Sequence, residues 1–158
     1  MTDMPIPGPA PVAAAAAEAP VPLAAPATWA DEDLVRPGPA NDSTDISATA
    51  DISGFVGSCL VDSDSGLMLA SEGGESIDLE AAAALNTQVV RAEHEVIATL
   101  GLEDHIEDIL ITMTRQLHFI RPLEASPSVF LYVCLDKKSA NLGMARMQVN
   151  KIEGGLKL

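Results

Sequence analysis

The sequence predicts an α+β domain in three layers, a five-stranded antiparallel sheet between helices, behind an N-terminal tail with no core of its own. Three observations carry this. The stretch Gly54–Ser71, GFVGSCLVDSDSGLMLAS, reads as two short strands joined by a turn. A single helical pattern then runs from about Asp78 to Leu100. Three further strand-like runs follow, two of them apolar on both faces, and such strands need cover on both sides.

The first hairpin has the clearest local signal. Phe55, Val56, Cys59, Leu60 and Val61 are apolar or suited to a strand, and Leu67, Met68 and Leu69 resume that character. Between them, Asp62-Ser63-Asp64-Ser65-Gly66 offers side chains that bond their own backbone and a glycine that tolerates positive φ. Before the hairpin, Asn41, Asp42 and Ser43 are N-cap residues, and a short helix is expected over Ser43–Ile52 with Ile46, Ala50 and Ile52 on one side.

After Gly73-Gly74, Ser76 and Asp78 are candidate caps for the long helix, and Gly101 is its terminator. Ala82, Leu85, Val89, Ala92, Val96 and Leu100 recur at three or four residues and are expected to form its buried stripe, widened by Val90 and Ile97. The strands are expected at Ile106–Thr114, Leu117–Leu123 and Val129–Asp136. Ser139 is expected to cap a last helix through about Glu153, with Leu142, Ala145, Val149 and Ile152 inward.

Residues 1–41 read differently from 42–158. Only Pro122 and Pro127, of 11 prolines, lie beyond Asn41. Alanine and proline supply little large apolar surface to offset ordering entropy, so a disordered tail is expected. Alanine also inflates the 47% hydrophobic content. Trp29, followed by Ala30-Asp31-Glu32-Asp33-Leu34-Val35, is either a solvated linker or a short docking motif.

The net charge of −14, from 23 acidic and 9 basic residues, argues against nucleic acid and anionic membrane surfaces as partners. No basic leader and no long apolar run is present, which fits a cytoplasmic protein. Cys59 and Cys134 both lie in strand-like runs and read as buried thiols in a reducing compartment. No phosphate-cradling glycine loop with its lysine is present, and His94, His105 and His118 lack metal-ligand spacing. Asp62 and Asp64 read as turn residues before cation ligands. His118 and Cys134 fall on neighbouring strands and could face each other, yet no third orienting group accompanies them. No enzyme activity, cofactor or metal is therefore expected.

The order of elements, the hairpin GFVGSCLVDSDSGLMLAS with Gly54, Asp62 and Gly66, and the C-terminal FLYVCLDKKSANLGMARMQVNKI together resemble the Roadblock/dynein light chain family, over about Asp42 to Ile152. Within it the chain is similar to the bacterial mutual gliding motility regulators. The resemblance implies a non-enzymatic dimer that binds and modulates a small Ras-like GTPase. It also implies that Val129–Asp136 pairs with the first strand, leaving Ile106–Thr114 at an edge. A homodimer through Ile109, Leu110, Ile111, Thr112 and Met113 is then expected, with Ala82, Leu85 and Val89 of the long helix meeting across the axis. The polar residues Gln88, Arg91, His94 and Glu95 of that helix are the expected partner contacts. Two other readings stand beside it: a dimeric structural adaptor that tethers cargo through its tail, and a small-molecule sensor using the crevice between sheet and helix.

Overall fold

The computed structural model describes residues 44–158, with the isolated Pro5 and Gly8. The tail, its boundary, Trp29 and Ser43 lie outside the described residues. A 3-10 turn at Ser47–Asp51 precedes β1 (Phe55–Asp62), β2 (Met68–Gly73), α1 (Leu79–Leu100), β3 (Ile109–Thr112), β4 (Gln116–Pro122), β5 (Val129–Asp136) and α2 (Leu142–Gly155). The five strands form one sheet in the order β2-β1-β5-β4-β3, and every pairing is antiparallel.

The core has two halves because β5 is buried on both faces. Val129, Leu131, Val133 and Leu135 join Leu60, Leu117, Phe119, Ala145 and Val149 on the α2 side. Phe130, Tyr132 and Cys134 join Cys59, Val61, Ala83, Val90 and Ile120 beneath α1. Period-two alternation sends successive side chains to opposite faces. A strand apolar at every position can therefore occupy only the middle of the sandwich. The expected three layers are present: α1 covers one face, while α2 and the 3-10 turn share the other.

Local chemistry sets the element ends. Asp78 caps α1 by accepting from Ala81 N–H at 2.9 Å, and Gly101 closes it at φ 63°. In the β1–β2 turn the Asp62 carboxylate accepts from Ser65 Oγ at 2.6 Å and Asp64 N–H at 3.1 Å, while Gly66 sits at φ 76°. Gly54 matters for a second reason. At φ 82°, a Cβ there would fall 2.8 Å from Asp136 O and 2.9 Å from Ala140 N, so β1 could not enter beside the end of β5.

Several sequence expectations are corrected. The segment before β1 is a five-residue 3-10 turn and not an α-helix, consistent with its Ser, Thr and Asp content. Strand β3 is shorter than Ile106–Thr114, because Asp108 turns its carboxylate to two arginines ahead of the ladder. The cap of α2 is Asn141, which accepts from Met144 N–H at 3.1 Å. Ser139 instead donates its hydroxyl to Asp136 Oδ2 at 2.8 Å. The buried face of α1 is Leu79, Ala83, Asn86, Thr87 and Val90. The expected stripe is rotated off the core, and Leu85, Val96 and Leu100 are 61%, 45% and 65% exposed. Small Ala83 lets the helix lie close to the sheet, and Asn86 and Thr87 can be buried because each bonds a carbonyl one turn back.

One buried polar pair holds the 3-10 turn to the sheet. Thr49 Oγ1 donates to Ile46 O at 2.7 Å and lies 2.6 Å from Ser58 Oγ, both side chains being fully buried. Thr49 has one hydroxyl proton and gives it to Ile46, so Ser58 must donate to Thr49. Thr49→Val keeps the shape but strands the Ser58 hydroxyl, and it is expected to cost about 1–3 kcal/mol. Ser58→Ala leaves Thr49 its acceptor and should cost less. Urea unfolding of both variants at one protein concentration checks this ordering, and the reverse ordering would refute it.

Candidate interaction surface

Strand β3 forms one edge of the sheet and β2 the other. The two edges differ. The β1–β2 ladder slips between Leu60 and Val61, so that Leu69 is an extra residue. A bulge of this kind spoils an edge as a template for further strands. β3 pairs with β4 without a slip, from Ile109↔Ile120 to Thr112↔Leu117. It carries no Lys, Pro or bulge, and Leu110 and Met113 are 38% and 44% exposed.

Helix α1 packs on β1 and β2, and its rotation follows from its contacts. On one flank Arg91 crosses to the β1–β2 turn, with Nε donating to Ser63 O at 2.9 Å and Nη2 to Asp64 O at 2.6 Å. On the other flank Ala82 and Val89 share a cluster with Ile109 and Ile111. At 100° per residue, Leu85, Val89, Ala92, Val96 and Leu100 all fall on that second flank. The stripe read as core is therefore mostly an outward apolar band, with Leu85, Val96 and Leu100 exposed, while Ala82 and Val89 pack against the same core cluster as Ile109 and Ile111.

The four expected partner contacts are exposed but do not share one direction. Arg91 is occupied by the turn carbonyls. His94 lines a cleft of about 620 Å³ at the end of the sheet, with His105, Arg121, Glu124, Asn150 and Glu153. Gln88 and Glu95 lie seven residues apart, two helical turns, on the outermost face of α1. Arg121 and Glu153 on the cleft wall belong to an ionic cluster that sequence spacing did not reveal. The Asp108 side chain, 7% exposed, accepts from Arg121 Nε at 2.8 Å and Arg146 Nη2 at 2.7 Å, and Arg121 lies 3.6 Å from Glu153. These residues come from the start of β3, the end of β4 and α2, and only the tertiary fold joins them.

The residues weighed for nucleophilic chemistry are placed together but disarmed. His118 and Cys134 are register partners. Burial raises the Cys134 thiol, with the Tyr132 hydrogen bond opposing, and pushes Cys59 up to about 12. Both thiols are free and buried. His118 Nε2 lies 3.0 Å from Gln116 Oε1, and its Nδ1 lies 3.3 Å from the Tyr132 hydroxyl. That pairing suits a neutral ring with the proton on Nε2 and Tyr132 as donor to Nδ1. Burial lowers the His118 pKa, in keeping with this.

The folded chain thus resists protonation of His118, while the unfolded chain takes up a proton below about pH 6.5. The stability contributed by the neutral ring is present above that value and is lost as pH falls below it. Urea midpoints should decline between about pH 7.5 and 5.5, and His118→Gln should flatten the decline. An equal decline in the variant would contradict the assignment.

No protein-family model and no curated protein matches the chain. Solved structures do. MglB of Myxococcus xanthus is 22% identical, over 64% of this chain and 73% of that one, with a TM-score of 0.57. A Roadblock/LC7 domain from Streptomyces avermitilis is 13% identical, over 68% and 86%, with a TM-score of 0.59. An MglB described with a tetrameric arrangement is 20% identical, over 68% and 79%, with a TM-score of 0.57. The domain has the Roadblock fold, as the sequence resemblance implied.

Proposed function

From a Roadblock fold with one unblunted sheet edge, we propose that this chain is a non-catalytic regulatory module that works as a homodimer and binds a small Ras-like GTPase. The carrying observation is the regular, Lys- and Pro-free β3 edge, in a domain whose α1 also exposes Leu85, Val96 and Leu100. An open edge presents unpaired donors and acceptors, and exposed apolar side chains on α1 add a hydrophobic reason to associate. A two-fold axis along the β3 edge satisfies the first, and isologous pairs are the commonest oligomers. The likeness to MglB structures, one of them in a tetrameric arrangement, supports an assembling module. The non-catalytic reading is supported by the raised thiols and the internally bonded His118.

In such a dimer the outermost faces of the two α1 helices flank the axis on one side of the joined sheet. Gln88 and Glu95 are the contacts to test there, since Arg91→Glu would also loosen the β1–β2 turn.

Light scattering of the wild-type protein should give the mass of a dimer at micromolar concentration. Ile111→Pro removes a ladder donor and should give monomer or aggregate; a wild-type monomer would overturn the dimer. A Ras-like GTPase loaded with a non-hydrolysable nucleotide should be retained by the wild-type protein. Glu95→Arg should weaken retention about tenfold, while its melting temperature stays within a few degrees, because exposed substitutions usually remain within about 0.5 kcal/mol. Affinity unchanged by both Glu95→Arg and Gln88→Arg would remove this face from the proposal.

A further inference from the structure

Helix α2 turns outward a surface that the fold itself does not use. Its rotation is fixed from three sides. Ala145 and Val149 are buried beneath it. Arg146 bonds Asp108 on one flank, and Gln148 Nε2 lies 3.5 Å from Asp51 O on the other. At 100° per residue, Met144, Met147 and Lys151 then face away from the sheet. Met144 and Met147 are 52% and 68% exposed. Two exposed methionines one turn apart make an adaptable apolar contact.

The charge around them is opposite to that of the whole chain, which carries −14. Lys137 and Lys138, in the turn that leads into α2, and Lys151, on its outward face, are exposed and enter no ion pair among the described residues. Arg115 joins them from the β3–β4 turn, its carbonyl accepting from Lys137 N–H at 2.9 Å, and it too is exposed and outside every ion pair among the described residues. The start of α2 strengthens this field, because the N–H groups of a first turn have no intrahelical acceptor and the helix dipole is positive there.

The nearby acids are occupied or turned elsewhere. Asp136 Oδ2 accepts from Ser139 Oγ at 2.8 Å. Glu153, the one acidic residue of α2, accepts from Glu124 N–H at 2.7 Å and lies 3.6 Å from Arg121. Glu75, Asp78 and Glu80 reach the same end of the sheet, but in the β2–α1 connection and the first turn of α1, which covers the other face.

Geometry favours a short acidic segment over an extended polyanion. The eight residues of β5, at about 3.3 Å each, separate Lys137 from exposed Glu103, Asp104, Glu107 and Glu124 at the far end of the sheet. Charges are screened over about 8 Å at physiological salt. A segment of a few helical turns laid on α2 therefore meets the local lysines, whereas a nucleic acid or a membrane surface meets the acidic end as well. The two methionines add an apolar contact that a simple anion cannot use.

We propose that the outward face of α2, with Lys137 and Lys138 at its start, docks an acidic amphipathic helix of another protein. Its carboxylates rest on the lysines and its large apolar side chains on Met144 and Met147. This surface is separate from the β3 edge and from α1, so its test does not depend on the homodimer or the GTPase.

The test is the fluorescence anisotropy of a labelled synthetic peptide, titrated with the full chain. The peptide has about twelve residues, roughly three helical turns, with glutamates leading and leucines on one face. Saturable binding is expected. It should weaken about tenfold in the double variant Lys137→Glu, Lys138→Glu, where attraction becomes repulsion. It should weaken about fivefold in Met144→Ser, Met147→Ser, and as much for a peptide of the same composition with its leucines spread around the helix. All four positions are exposed, so melting temperatures within a few degrees of wild type are expected to show that both variants fold. No binding of the peptide, affinity unchanged by the lysine reversals, equal affinity for the spread-leucine peptide, or equally tight retention on phosphatidylglycerol vesicles would each overturn the proposal.

Discussion

The burial of β5 on both faces is the constraint from which the rest of the domain follows. Seven of its eight residues supply alternating anchors to two separate clusters. A strand so apolar cannot border solvent, so it needs a strand on each side and a layer above and below. β1 and β4 provide the first, and α1 and α2 the second. The two thin ends of the sheet, β2 and β3, are what remains once β5 is enclosed. Their differing finish, one bulged and one regular, is therefore where the domain's outward behaviour is decided.

Polar groups inside this frame are few and, apart from Arg121 Nη1, hydrogen-bonded. Thr49 and Ser58 bond each other under the 3-10 turn, and Asn86 and Thr87 bond their own helix. Asp108 gathers Arg121 and Arg146. This last cluster fixes where β3 begins, since a carboxylate held by two guanidinium groups of β4 and α2 cannot also continue as a flat edge. Its ionic worth is that of a partly buried network. Removing Asp108 alone would leave Arg121 buried beside a single carboxylate, the costly way to break such a group.

How far the sequence was legible depended on how local the cause was. β5 was predicted with its observed bounds, because an uninterrupted apolar run between turn residues needs no tertiary information. Asp78 and Gly101 marked α1 within a residue, because caps are backbone chemistry. The rotation of α1 was misread for a physical reason. Leu85, Val96 and Leu100 make a better hydrophobic stripe than Ala83, Asn86 and Thr87, and periodicity cannot tell a band meant for the core from one left outside it. Of the expected surface, Ile109 and Ile111 of β3 and Ala82 and Val89 of α1 pack against one core cluster, while Leu85 is exposed. The tether of Arg91 to the Ser63 and Asp64 carbonyls was not legible, since it joins residues distant in sequence. The Asp108 cluster and the Thr49–Ser58 pair were invisible for the same cause.

The bulge at Leu69 has a consequence of its own. In the language of polymer chemistry, a sheet with two open edges is a bifunctional monomer, and strand addition between such units has no natural end. The slip between Leu60 and Val61 caps one edge and leaves the domain with a functionality of one. Whatever strand the β3 edge accepts, the product has no growing end. Repairing that slip by deleting Leu69 would convert a chain terminator into a chain extender.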